Sequence, residues 1–301
     1  MRISCLALAA TGLLSSASLA AQDPAVLEGL LRARIAQDTA MVGVVYRDPA
    51  RGEVVEIGPL VRFHAASTMK VPVLIELARQ VDRGELRWDD RLTVRNEFRS
   101  IVDGSPYHLD AGDDSDSTLY RLAGEGVSLG RLARLMITRS SNLATNLIID
   151  RVGATRVNAT AHALGADSIA VLRGVEDGKA FERGLNNTTT ARDLAVLLEA
   201  IAAGRAASPE ATDTIRSMLL AQEFNDGIPA GLPPGTAVAH KTGEITAIAH
   251  DAAIIYPQAR GPFILVILTR GYPERKDAAR LMADLSALVY RWALGTPDPR
   301  E

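Results

Sequence analysis

Strand-forming sequence is confined to the two ends of this chain, and helical periodicity fills everything between them. Residues 41–46 and 53–57 are short apolar runs around Asp48-Pro49-Ala50-Arg51-Gly52, which has turn chemistry. Three more runs, 236–242, 247–256 and 262–269, follow one another near the other end with turn residues between them. An early hairpin and a late three-strand meander can join one antiparallel sheet. Two outer helices can cover one face of it. Residues 24–37 repeat Leu27, Leu30, Leu31 and Ile35 at helical spacing, and 275–293 form a second amphipathic stretch.

The middle reads as helices. One starts at Ser67, with Val71, Leu74 and Leu77 on one face. Ser128 can cap a helix bearing Leu129, Leu132 and Met136, and 144–149 continue a further apolar helix. Thr189 can cap a helix that stops near Gly204, and Ser208-Pro209 opens another. The expected fold class is therefore α+β, with a sheet lobe from 22–66 and 222–301, a helical lobe from 67–221, and a cleft between them.

Residues 1–21 have the pattern of a cleaved export signal. Arg2 precedes a short apolar stretch, and Ser18-Leu19-Ala20 supplies small residues for cleavage. The stretch, interrupted by Gly12, is too short for a span of about 20 residues, so no stable membrane insertion is expected. The mature protein should be periplasmic or secreted. Cys5 is the only cysteine and lies in that segment, which leaves the mature chain without a thiol for disulfides or nucleophilic chemistry. A net charge of -3, without a basic run, argues against nucleic-acid binding. Asp110 to Asp116 holds four aspartates but lacks the glycine and terminal glutamate of a calcium loop, and reads as a solvated loop. His64, His108 and His162 show no metal-ligand spacing.

Lysine is scarce: the chain has 29 arginines and four lysines. A site that needs a deprotonatable amine cannot use arginine, so lysine positions carry information. Lys70 stands three residues after Ser67, on the same helical face, where its amine can reach the hydroxyl and act as base. Such a Ser-x-x-Lys pair arises about once by chance in a chain of this length. Lys241 stands in His240-Lys241-Thr242-Gly243 at the end of a predicted strand, a rarer pattern found in roughly one chain in fifteen. Between them, Ser140-Ser141-Asn142 lies at a break between helical runs.

These three motifs, in this order, resemble the serine β-lactamase and penicillin-binding protein superfamily, most closely class A β-lactamases. The resemblance implies a five-stranded antiparallel sheet, flanked by the terminal helices and packed against an all-helical lobe. It implies that Ser67 is the acylated nucleophile and Lys70 its general base. Ser140 would relay a proton to the leaving nitrogen, and Asn142 would hold a substrate side-chain carbonyl. Lys241 would attract the substrate carboxylate and tune Ser140, and Thr242 would donate to that carboxylate beside Gly243. The backbone N–H groups of Ser67 and Glu244 would form the oxyanion hole. His250 stands where the family often has a supporting cation, although a partly buried strand histidine explains it equally well. His240 reads as structural, and Tyr107 as a packed tyrosine more than a gate.

The motifs depart from the family pattern in two places. Ser141 replaces an aspartate that is structural in the family, and the spacing from Ser67 to Ser140 is long, with the excess assigned to 110–116. The family also releases its acyl group with a glutamate in a loop before the next helix. Glu176, 36 residues after Ser140, fits the position. Glu182 fits the letters, as Glu182-Arg183-Gly184-Leu185-Asn186. Position favours Glu176, because geometry decides whether a carboxylate meets the acyl carbonyl. Either glutamate could instead pair with Arg173, Lys179 or Arg183 in a solvated loop.

The expected activity is β-lactam hydrolysis through an acyl-enzyme on Ser67. The alternatives are a penicillin-binding D-alanyl-D-alanine peptidase with slow deacylation, and a catalytically silent module that binds β-lactam or peptidoglycan. A monomer without cofactor or metal, acting on a small-molecule β-lactam or a peptidoglycan peptide, is expected.

Overall fold

The early hairpin and the late meander do meet in one sheet. The computed structural model describes residues 23–296. Residues 1–22, which include Cys5 and the stretch read as an export signal, and residues 297–301 lie outside them. Strands β1 (Met41–Asp48), β2 (Glu53–Ile57), β3 (Ala237–Ile245), β4 (Ile248–Tyr256) and β5 (Phe263–Arg270) form a fully antiparallel sheet in the order β2-β1-β5-β4-β3. The last strand in sequence lies at the centre, between β1 and β4. The edge strand β3 carries Lys241, Thr242 and Gly243.

The period of two along β5 explains its unbroken apolar run. Phe263, Leu265 and Ile267 face one way, into a core with Leu27, Leu31, Leu281 and Leu285 of the terminal helices α1 (Pro24–Ile35) and α9 (Arg275–Leu294). Ile264, Val266 and Leu268 face the other way, into the core of the helical lobe. With both faces covered, a strand has no polar side to show, and each such side chain contributes roughly 1.5–3 kcal/mol of burial.

The helical lobe is built around α2 (Lys70–Asp82), whose residues Lys70 to Ala78 are all buried. Pro72 sits in its first turn, where a missing N–H breaks no helical bond. Around it pack α3 (Leu129–Thr138), α4 (Asn142–Val152), α5 (Ala154–Ala163) and α8 (Pro209–Leu220), while α7 (Ala191–Ala202) lies against strands β1, β4 and β5, and the short α6 (Gly178–Glu182) comes between α5 and α7 in the chain. Two helix starts differ from expectation. Ser67 belongs to a single 3-10 turn, Ala66–Met69, that leads into α2. Thr190, not Thr189, caps α7, because Thr189 pairs with Phe63 in a two-residue ladder.

Candidate active site

Three elements converge where the lobes meet: the turn before α2, the α3–α4 junction and the edge strand β3. Ser67 is half-buried at the start of α2, between Ala66 and Thr68, both buried. Ala66 has φ 45°, in the left-handed region, a conformation that costs alanine about 1–3 kcal/mol and recurs at sites that hold a side chain in a required place. A Cβ on Gly243 would stand 3.1 Å from the backbone nitrogens of both Ser67 and Thr68. Glycine therefore lets the sheet edge approach the turn that carries Ser67 backbone to backbone.

Lys70 and Lys241 are fully buried and share one hydroxyl. Lys70 Nζ donates to the Ser140 carbonyl at 2.6 Å and to Asn142 Oδ1 at 3.0 Å, and lies 3.1 Å from Ser140 Oγ. Lys241 Nζ lies 3.0 Å from the same Oγ and donates to the Thr242 carbonyl at 2.8 Å. Burial pushes the Lys70 amine down to about 7, against the opposing pull of Asp114 and Glu176. Burial and then the Lys70 charge push Lys241 well below its ordinary value, with Asp251 opposing. Among the described residues the Ser67 hydroxyl is not a hydrogen-bond partner of Lys70. The amine turns instead to Ser140 O, Ser140 Oγ and Asn142 Oδ1. Ser140 itself has φ 58°, a second strained backbone in the cleft.

The loop 172–187 forms the wall opposite the sheet. Asn187 closes its neck, accepting from Leu172 N at 2.8 Å and donating to the Arg173 carbonyl at 3.0 Å. Asn146 of α4 clamps its centre through both main-chain groups of Val175, at 2.6 and 3.1 Å. Beyond that clamp Glu176, with φ 62°, turns its carboxylate into the cleft. Oε1 accepts from Asn142 Nδ2 at 2.8 Å and Oε2 from Asp110 N at 3.3 Å. Lost hydration raises its carboxyl above the ordinary range, the two hydrogen bonds oppose this, and Asp114 and Asp113 add to it.

Glu182 is exposed at the end of α6 and does not line the cleft that holds Ser67. Two of the three cations that might have neutralised either glutamate are otherwise engaged. Lys179 pairs with Asp103 at 2.7 Å, and Arg173 donates to Leu185 O, Gly174 O and Asn186 Oδ1.

Ser67, Asn142, Glu176, Phe181 and Glu244 line a cleft of about 420 Å³. An adjoining cavity of about 290 Å³ holds Ser140, Thr242, Gly243 and Arg275. Arg275 had no sequence signal, being one of 29 arginines in a run of polar residues. It reaches back from the first turn of α9 to Glu244 at 2.5 Å and Asp226 at 2.6 Å.

His250 does not supply a cation. It is buried, its Nε2 lies 2.9 Å from the His64 carbonyl, and its Nδ1 can accept from Thr269 N at 3.2 Å. Burial lowers it to about 4, so it is neutral at physiological pH. Its ring, edge-on to Phe63 at 5.6 Å, anchors the segment that leads into Ser67. His240 is also buried, between Asp251 at 2.9 Å and Asn225 at 3.2 Å. Tyr107 packs on Phe98 and accepts from Asn146.

The aspartate-rich loop corrects a sequence expectation. Asp114 and Asp116 are buried, and Asp114 binds the start of α4.

The family model described as "Beta-lactamase enzyme family" matches residues 27–293. The chain belongs to that family. A β-lactamase of Streptomyces lavendulae is 27% identical over 279 residues, covering 89% of this chain and 86% of the relative. The solved β-lactamase of Sphaerobacter thermophilus superposes with TM-score 0.78 at 28% identity, covering 92% of this chain and all of that one. A mutant of PBP-A, solved as an acyl-enzyme with penicillin G, superposes with TM-score 0.78 at 25% identity, covering 90% of this chain and 97% of that one. The resemblance drawn from the three motifs holds, and so does the α+β architecture it implied. The solved structure of an ancestral class A β-lactamase superposes with TM-score 0.76 at 22% identity, covering 88% of this chain and 99% of that one, and has the same fold.

Proposed function

We propose that this chain is a class A serine β-lactamase, which opens the β-lactam ring through an ester on Ser67 and releases the product with water. Neutral Lys70 takes the Ser67 proton as Oγ attacks the lactam carbonyl. The N–H groups of Ser67 and Glu244 stabilise the oxyanion. The proton passes through Ser140 to the lactam nitrogen as the C–N bond breaks. Lys241, Thr242 and Arg275 hold the substrate carboxylate beside Gly243, and Asn142 holds the side-chain carbonyl. Glu176 then removes a proton from water, which attacks the ester and frees Ser67.

What most supports this reading is Ser140 Oγ, 3.1 Å from one buried lysine amine and 3.0 Å from another. Two ammonium groups so close in a buried site oppose each other, which favours a neutral amine able to accept a proton. Intact-mass spectrometry during exposure to penicillin tests it. A transient adduct with turnover, absent in Ser67→Ala, is expected. A persistent adduct indicates a slowly deacylating D-alanyl-D-alanine peptidase, and no adduct a silent binding module.

The same proposal makes residues 1–21 a cleaved export signal and the mature chain a periplasmic or secreted monomer, with lobes at 22–66 plus 222–301 and 67–221. Its substrate is a small-molecule β-lactam rather than a peptidoglycan peptide, and it uses no cofactor. Arg2, the apolar stretch after it and the small residues before Ala21 support export. Among the described residues no helix is long and apolar enough to cross a membrane. N-terminal sequencing of the exported protein, with an expected start at Gln22 or close to it, checks this.

A further inference from the structure

We infer that Asp114, from the loop before the middle motif, supplies the negative charge that Ser141 lacks and is a positioning residue for Asn142 and Lys70. The inference rests on the acyl-serine reading above and adds to it a residue 26 positions upstream of Ser140.

Asp114 is buried with its carboxylate filled by donors. Both oxygens accept from Asn142 N at 3.0 Å, and Oδ2 also accepts from Leu143 N at 2.9 Å and from the Tyr120 hydroxyl at 3.0 Å. Oδ1 accepts from Asp116 N at 3.0 Å. Four donor groups surround its two oxygens and occupy the acceptor sites of the carboxylate. Two of them, the N–H groups of Asn142 and Leu143, are free groups at the positive end of α4, where an anion is stabilising. Ser141 is fully buried and its neutral hydroxyl caps only Ala144 N, at 3.3 Å. The cap is thus split between a serine within the motif and an aspartate from a distant loop.

What Asp114 holds is the backbone of Asn142, whose amide bridges the two groups that move protons. Oδ1 takes a bond from Lys70, and Nδ2 gives one to Glu176. The charges facing Lys70 come from three other elements: Asp114 in its loop, Glu176 in the 172–187 loop, and Lys241 on β3, itself faced by Asp251. Asp114 and Asp113 also face Glu176. Asp114 opposes the burial that drives Lys70 down, and it drives Glu176 up. Removing its charge should lower both groups.

The scarcity of lysine permits a test without turnover. With four lysines in the chain, the titration of Lys70 can be followed by NMR of 13C-labelled lysine side chains. Wild type should show a midpoint near 7. Asp114→Asn, which keeps the shape and removes the charge, should move that midpoint down. It should slow acylation by penicillin about tenfold and shift its acid limb the same way. Ser141→Asp in that background should restore both, whereas Ser141→Asp alone, adding a second buried anion, should slow acylation and lower the melting temperature. An unchanged Lys70 midpoint in Asp114→Asn, or reduced stability with no shift and no rescue, overturns the inference. If wild type forms no adduct while the midpoint still falls, the acyl-serine reading fails and the role of Asp114 stands.

Discussion

Lys241 Nζ lies 3.0 Å from Ser140 Oγ, a bond between the sheet edge and a helix junction 101 residues earlier in the chain. Both residues are buried, and Lys70 approaches the same oxygen from the other side. A hydroxyl between two amines can accept from one and donate to the other once that one is neutral. The arrangement is therefore a proton path only while at least one lysine is uncharged.

Lys241 should not tolerate arginine. A guanidinium stays protonated and is too large for a fully buried ammonium site, so it cannot reproduce the compact donor at Ser140. Lys241→Arg and Lys241→Ala should both slow acylation by about a hundredfold or more. Single-turnover acylation rates check this, and a wild-type rate in the arginine variant contradicts it.

Acylation should depend on pH through Lys70. Its folded pKa is lowered from 10.5 to about 7, so the amine is charged below that value and neutral above it. The rate should be flat at alkaline pH and fall about tenfold per unit below 7. The stability sign is consistent with this. Between about 7 and 10.5 the unfolded chain binds a proton that the native chain does not, so Lys70 adds stability as pH rises across that window. A pH–acylation profile that stays flat from 8 to 5 would remove Lys70 as the base.

Glu176→Gln and Glu182→Gln should separate acylation from release. The first keeps the Asn142 hydrogen bond possible but removes the base, so acyl-enzyme should accumulate and deacylation slow by about 10²–10⁴-fold. The second alters an exposed helix end and should turn over like wild type. Intact mass after a brief penicillin pulse distinguishes them. Accumulation in Glu182→Gln alone reverses the assignment.

Gly243→Ala should damage the site more than the fold. The new methyl would meet main-chain nitrogens of Ser67 and Thr68, which cannot swing aside as a side chain would. The edge strand must move outward by a few tenths of an ångström, which opens the oxyanion hole. Acylation should fall about ten- to a hundredfold while the melting temperature drops by a few degrees. Equal loss of both would mean that the glycine serves packing alone.

The strands and most of the helices were legible because their signals are local. The five apolar runs are strands, and Leu27, Leu31 and Ile264 to Leu268 lie where a two-residue or helical period puts them. Lys70 and Lys241 stood out for a different reason, since a lysine-poor chain keeps lysine where an amine is needed, and Ser67 stood out by its spacing from Lys70. Glu176 was only half legible, because its letters lack the family pattern. Its place depends on Asn146 clamping Val175 and on a left-handed backbone at a non-glycine residue, neither of which has a local signature. His250 stayed open between two readings, because strand position says nothing of burial.

The chain's order of periodicities alone determined an α+β sheet-and-helix fold, and its short motifs singled out the serine and two amines that we propose as the reactive set. Tertiary structure alone decided which charges face them. It brought Arg275 to the cleft, buried His250 against the His64 carbonyl, and set Asp114 on the end of α4. Periodicity is a property of neighbours along the chain, whereas the field at a buried amine is summed over groups that only folding brings within a few ångströms.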